Sequence, residues 1–196
     1  MTKLYVANDV HIYGPHQLIS DDDLSIEHCQ YLLGDIIDMA NVKKKDVKKA
    51  KQFMERIIAM YNGAYIMGNH ELWKKDFYHD IRTPDHIVIK DPGNPILLCH
   101  GHVPLWGKEK TDKWMGKTPG AGFFKRTFSK FFNCWRDTFG GFKITDKDLD
   151  KLAKYAKEKE CKTIVIGHKH PLETKYYRKK GIKIIILKRG FNEIEV

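Results

Sequence analysis

Residues 31–38, YLLGDIID, decide the fold. Tyr31, Leu32 and Leu33 suit a short buried strand, Gly34 supplies the turn that ends it, and Asp35 and Asp38 follow on the loop. A strand that hands over to carboxylates at a glycine fits the crevice along the carboxyl ends of an open α/β sheet.

Working outward, the same change from apolar run to polar loop recurs. Lys3 to Ala7 precedes Asp9-Val10-His11, Ala64 to Met67 precedes Gly68-Asn69-His70-Glu71, Ile96 to Cys99 precedes His100-Gly101-His102, and Thr163 to Ile166 precedes Gly167-His168-Lys169-His170. Ile87 to Ile89 is a further strand-like run. Between strands, Val47, Ala50, Met54, Ile57, Ile58 and Tyr61 repeat at helical spacing, and Gly63 marks the stop. A second helix is expected from Asp146 to about Glu160, opened by a Thr145/Asp148 capping box, with Leu149, Leu152, Ala153 and Ala156 as its apolar stripe. The tail from Thr174 alternates short runs around Lys180-Gly181 and Arg189-Gly190, which predicts antiparallel strands at an edge or on a second sheet. The fold class is α/β.

The chain has 196 residues, enough for one domain with a sizeable core. Its formal charge of +10 points to anionic partners without choosing between nucleic acid, phosphorylated metabolite and lipid headgroup. The opening stretch MTKLYVAND shows no charged leader with an apolar core, so a cytoplasmic location is expected. No apolar stretch approaches the roughly 18 residues of a spanning helix, so no membrane span is expected. Cys29, Cys99, Cys134 and Cys161 are scattered without a C-x-x-C pair, as reduced thiols would be.

Residues 104–142 differ from both flanks. They hold three of the four Trp and seven of the ten Phe, interleaved with Lys and Arg, and the density of aromatics reads as an inserted cap. Phe124, Phe128, Phe131, Phe132 and Trp135 fall at helical spacing. The cap could form a satellite core, line a pocket for an apolar leaving group or lipid, or stack bases beside basic groups that hold phosphates.

The five polar clusters offer oxygen and imidazole donors, a set that suits Mn²⁺, Fe, Zn²⁺ or Mg²⁺ and not thiolate-held structural zinc. Each cluster alone is weak, but five in this order after five apolar runs argue for a function. His16, His28, His79 and His86 lie outside the clusters and read as surface or locally bonded, although the loop carrying His16 leaves the first cluster.

Taken together, D-x-H, G-D-x-x-D, G-N-H-E, H-G and G-H-x-H resemble the signature of the calcineurin-like metallophosphoesterase superfamily over nearly the whole chain. The resemblance implies a two-sheet sandwich flanked by helices, with residues 1–196 as one domain and the aromatic-rich helical cap inserted at about 104–142. It implies that Asp9, His11 and His170 hold one divalent cation and that Asn69, His100 and His168 hold another. Asp35 would bridge them, with two Mn²⁺ as the first choice. His70 would act as the catalytic group, stabilising the transition state or protonating the leaving oxygen. Asp38 would orient His11, and His102 would contact substrate or nearby polar groups. Two cations at roughly 3.5–4 Å could then bind a water nucleophile and the nonbridging phosphate oxygens together.

The expected activity is hydrolysis of a phosphate ester, a phosphodiester first. The cap also resembles that of UDP-2,3-diacylglucosamine pyrophosphohydrolases, which would imply a lipid-linked substrate, whereas His70 resembles the phosphodiesterase and protein-phosphatase branches. A nucleic acid or nucleotide substrate, and a catalytically silent scaffold for protein binding, are the remaining alternatives.

Overall fold

The computed structural model describes residues 2–13, 28–39, 42–71, 83–107, 109–111 and 143–196. Two sheets carry the architecture. The first has the order β3-β2-β1-β9, with β1 at Lys3–Asn8, β2 at Tyr31–Leu33, β3 at Tyr65–Ile66 and β9 at Gly190–Glu195. The second has the order β4-β5-β6-β8-β7, formed by Ile87–Ile89, Ile96–Cys99, Thr163–Ile166, Ile182–Ile186 and Lys175–Lys179 for β4, β5, β6, β8 and β7. In the first sheet β1, β2 and β3 run parallel and β9 returns antiparallel to β1. In the second, β5, β6 and β8 run parallel between the antiparallel edges β4 and β7.

The central strands are apolar on both faces because both are covered, as parallel strands require. Leu4 and Val6 of β1 join Leu98, Val165 and Ile185 in a layer between the sheets. Ala7 and Leu32 face instead the helix α1, Val47–Met60, through its Ala50, Phe53, Met54 and Ile57. On the far side, Leu97, Ile164 and Ile184 meet Leu105 of the short helix α2, His102–Trp106, and Leu152, Ala153 and Ala156 of α3, Asp146–Glu158. The two-residue period of the strands thus sorts neighbouring side chains into different layers.

Local chemistry sets the helix limits. Thr145 accepts from the Asp148 main-chain N–H while the Asp148 carboxylate accepts from that of Thr145, so the expected capping box opens α3. The expected helix after Val47 ends at Met60, three residues before Gly63. In the tail, β7 and β8 form a hairpin over Lys180-Gly181 on the second sheet, and β9 crosses to the first.

The cap expected over 104–142 falls mostly outside the described residues, which omit 112–142. Of its first residues, Pro104 to Trp106 lie in α2, and Leu105 is buried in the second-sheet core. Among the described residues no helix is long and apolar enough to cross a membrane, and Cys29, Cys99 and Cys161 are free thiols.

Candidate metal centre

The parallel strands of both sheets end on one side, and the polar clusters meet there. Asp9 and His11 follow β1, Asp35 and Asp38 follow β2, Asn69 and His70 follow β3, His100 follows β5, and His168 and His170 follow β6. Asp9, Asp35, Asp38, His11, Asn69, His100, His102, His168 and His170 are all buried. Three ligand-sized groups result: Asp9 with His11 and His170, His11 with Asp35 and His70, and Asp35 with His100 and His168.

In the group of Asp35, His100 and His168, Asn69 adds a fourth donor. His100 Nε2 lies 3.4 Å from Asp35 Oδ2, 3.1 Å from Asn69 Oδ1 and 3.2 Å from His168 Nδ1. Its Nδ1 donates to the Leu33 carbonyl at 2.7 Å, which fixes the tautomer in the neutral ring and turns the Nε2 lone pair inward. With His100 neutral, two imidazole nitrogens and two oxygens face one another with lone pairs converging. Such a donor set fits a cation.

In the first group His170 Nε2 lies 2.8 Å from Asp9 Oδ1. The other Asp9 oxygen already accepts from the His168 main-chain N–H at 2.9 Å and the Asn8 amide at 2.6 Å. Asp9 therefore presents Oδ1 toward His170. Asp35 stands between the groups, since its Oδ1 accepts from the His70 main-chain N–H at 2.8 Å while Oδ2 faces His100 and, at 4.0 Å, His70 Nε2.

The electrostatics of the metal-free site follow from crowding carboxylates and imidazoles out of water. Burial works against ionisation of Asp35, but His100 and His70 outweigh it and hold the carboxyl well below its usual range. Asp9 is likewise lowered, burial being overcome by His170 and His100. Burial opposes protonation of His100 and His70, yet Asp35 beside each ring raises both to about 9. His168 and His11 are lowered by burial, as is His102, which is pushed down to about 3 with the His100 charge adding to the effect. The cluster thus holds protons where divalent ions would otherwise supply positive charge, and metal binding would displace them.

Asp38 lies closer to His70 than to His11. Its Oδ1 accepts from His70 Nδ1 at 2.8 Å, whereas Oδ2 is 3.7 Å from His11 Nδ1. His102 packs with its ring 5.2 Å from that of His100 and 6.3 Å from that of His168, outside the three groups. The Trp106 ring meets His168 edge-on at 4.8 Å. His28 is exposed and His86 stacks edge-on against Tyr155 at 6.2 Å, while His16 and His79 lie outside the described residues.

The backbone of the site is unusual. Asp9, His11, Asp35, His168 and His170 all have positive φ, between 48° and 66°. This left-handed region costs a non-glycine residue roughly 1–3 kcal/mol, although Asp and His tolerate it better than most. Five candidate ligands share it, so the side chains converge through backbone strain that the rest of the fold sustains.

Sequence reasoning assigned no role to Glu71. Fully buried, its carboxylate accepts from the main-chain N–H groups of Asp35 at 2.7 Å, Ile37 at 3.0 Å, Gly68 at 2.6 Å and Ile36, and from the Tyr65 hydroxyl at 2.7 Å. It ties the β2 loop carrying Asp35 to the β3 loop carrying Asn69 and His70. The same two loops touch so closely that a Cβ on Gly68 would overlap both the side chain and the main-chain nitrogen of Asp35. Burial and the Asp35 charge push the Glu71 carboxyl up to about 7, and the hydrogen bonds from Tyr65, Ile37 and Gly68 pull the other way.

A family profile described as calcineurin-like phosphoesterase matches residues 2–180. The chain belongs to that family. The buried His/Asp groups are consistent with metal binding in that family's fold. No curated protein matches the sequence. Solved structures match the chain at low identity. A conserved protein from Streptococcus pneumoniae, described as a predicted phosphoesterase, is 17% identical with a TM-score of 0.43, over 96% of this chain and 74% of that one. Vacuolar protein sorting 29 from Chaetomium thermophilum is 8% identical with a TM-score of 0.49, over 95% of this chain and 68% of that one. The Entamoeba histolytica protein of the same name, complexed with Zn²⁺, is 15% identical with a TM-score of 0.41, over 96% and 74%.

Proposed function

We propose that this calcineurin-like phosphoesterase is a dinuclear metal-dependent phosphodiesterase. The observation that carries the reading is the convergence of Asp35 Oδ2, Asn69 Oδ1, His100 Nε2 and His168 Nδ1 beside the Asp9, His11 and His170 group. In this reading Asp9, His11 and His170 hold one cation, Asn69, His100 and His168 the other, and Asp35 both. Oxygen and imidazole donors suit Mn²⁺ first, with Fe, Zn²⁺ and Mg²⁺ compatible. When bound, the pair would supply Lewis acidity to phosphate oxygens and acidify a coordinated water.

The chain's own residues do the rest. The Leu33 carbonyl fixes the proton of His100 on Nδ1, which keeps Nε2 a lone pair for the cation. His70 donates from Nδ1 to Asp38, which orients the ring, and in this reading its Nε2 would give a proton to a leaving oxygen. Asp38 thereby sets the direction in which His70 gives its proton. Trp106 packs edge-on against the His168 ring.

The test is hydrolysis of bis(p-nitrophenyl) phosphate and p-nitrophenyl phosphate by the metal-stripped protein with and without Mn²⁺, with bound metal measured in parallel. About two ions per chain and metal-dependent diester cleavage are expected. Two bound ions without either activity would remove the phosphodiesterase reading, and no bound metal would remove the dinuclear one.

A further inference from the structure

We propose that Asn192, near the end of the chain, is a positioning residue for Asp9 and acts on it through Asn8. The proposal rests on the reading of Asp9 as a metal ligand. β9 pairs with β1 so that Asn192 lies opposite Val6 and Gly190 opposite Asn8, which makes Asn192 and Asn8 diagonal neighbours on one face of the sheet. That face otherwise carries Leu4, Val6, Ile194 and Val196 into the apolar layer between the sheets. Two amides interrupt it, 0% and 6% exposed for Asn8 and Asn192. Buried amides at apolar positions are costly unless their hydrogen bonds are met.

Here they are met in one direction. Asn192 Nδ2 faces the main-chain carbonyls of Lys188 and Gly190, both at 3.1 Å, and Asn8 Oδ1 at 3.0 Å. Carbonyls only accept, so the amide nitrogen must point to them, and Asn192 Oδ1 turns to accept from the Thr174 hydroxyl at 2.9 Å. This sets Asn8 in turn. With its oxygen committed to Asn192, its Nδ2 donates to Asp9 Oδ2 at 2.6 Å. Together with the His168 main-chain N–H, that bond occupies Oδ2 and leaves Oδ1 toward His170. A Cβ on Gly167 would lie 2.5 Å from Asp9 Oδ2 and 2.9 Å from Asn8 Nδ2, so the strand-end glycine makes room for this junction. The Arg189 side chain, from the same β8–β9 link, donates to the Asp9 carbonyl at 3.1 Å and holds the left-handed backbone from outside. The crossing from one sheet to the other therefore locks the orientation of a carboxylate at the far end of the chain.

The polarity of the chain of amides makes the inference testable. Asn192→Leu removes the donor while keeping the number of side-chain heavy atoms, and Asn192→Asp replaces it with an acceptor of the same shape facing three oxygens. Either change frees Asn8 to rotate and Asp9 to turn Oδ2 away from its anchored position. Mn²⁺ would be titrated into the metal-free wild type, both Asn192 variants and Asp9→Ala by calorimetry, with electron paramagnetic resonance of the loaded proteins and circular dichroism to establish folding. The expected result is two Mn²⁺ sites in the wild type and one in Asp9→Ala. In the Asn192 variants that same site should weaken about 10- to 100-fold while the other is unchanged, and the coupled two-ion signal should fade at limiting Mn²⁺. Two differently substituted variants are included so that a folding defect in one leaves the other to decide. Wild-type affinity at both sites in a folded Asn192 variant, with Asp9→Ala still losing one, overturns the positioning role and leaves the metal reading intact. Equal weakening of both sites marks a general destabilisation and also overturns it. A wild type that binds no Mn²⁺, or an Asp9→Ala variant that binds like it, overturns the metal reading and the proposal together.

Discussion

The His70 ring donates from Nδ1 to Asp38 Oδ1 at 2.8 Å while its Nε2 stands 4.0 Å from Asp35 Oδ2. The ring is thus fixed at one nitrogen by a carboxylate outside the three ligand groups and directed with the other at the residue between them. In the metal-free protein, opposing burial, Asp35 and Asp38 raise its pKa to about 9. Asp38→Asn keeps the hydrogen-bonding shape and removes a charge, so the His70 pKa should fall below its wild-type value in a histidine NMR titration. An unchanged value would leave Asp35 as the dominant partner.

His70→Ala removes the proton donor and keeps Asp9, His11 and His170, although it takes away the ring that packs edge-on against His11 at 4.7 Å. Turnover should drop about 10²- to 10⁴-fold, the usual worth of a positioned acid, while bound metal stays near the wild-type level. Metal analysis on the purified variant checks this, and loss of one ion would instead assign His70 as a ligand alongside His11 and Asp35.

Asp35→Asn tests the shared ligand. Its carboxylate faces His100 at 3.4 Å and belongs to two of the three groups. Removing the charge should weaken both metal positions at once and abolish most activity. Retention of two tightly bound ions, measured by elemental analysis after dialysis, would contradict bridging.

Glu71→Gln probes the tie between the β2 and β3 loops. Glutamine has one acceptor oxygen where the carboxylate has two, and its NH₂ would face main-chain N–H groups that have no lone pair to offer. At least two buried donors are left unpaired, each costing about 1–3 kcal/mol. Urea denaturation should show a loss of about 2–6 kcal/mol, and a change under about 0.5 kcal/mol, as for an ordinary surface substitution, would mean the loops hold without Glu71.

Much of this site could be read from the order of residues because each ligand follows an apolar run, and the ends of parallel strands must meet. Tyr31–Leu33 and Thr163–Ile166 coincide with their expected bounds for that reason. Asp38 was harder to read. Its spacing from Asp35 is compatible with contact to either His11 or His70, and only the loop path brings it nearer His70. Glu71 follows His70 with no local sign that five donors surround it, since four of them come from loops set by tertiary packing. Asn8 and Asn192 did leave a trace, as polar breaks on the face shared by Leu4 and Val6 and by Ile194 and Val196. That trace becomes legible only once β9 is known to pair with β1, a contact between opposite ends of the chain. The left-handed φ values of the ligands have no signature beyond residue types that tolerate them.

The raised His100 pKa makes a stability prediction with a definite sign. Its ordinary value is 6.5 and the folded, metal-free value is about 9, burial being outweighed by Asp35. Below about 6.5 the folded and unfolded chains both carry the proton, and the stabilisation is fully present. As pH rises from there through about 9, the unfolded chain is already neutral while the folded one gives up a proton that its carboxylates favour, so stability is lost. The shift corresponds to about 3 kcal/mol, and His70 adds a loss in the same window. The buried rings of His11, His102 and His168 act on the other side, because their lowered pKa values remove stability as pH falls below about 6.5. Bound cations would replace the His100 proton and cancel the alkaline loss. Thermal unfolding between pH 6.5 and 9.5 should therefore show a falling midpoint in chelator and a flatter one with Mn²⁺. Parallel curves under the two conditions would mean that protons and metal do not compete at His100, and would count against it as a ligand.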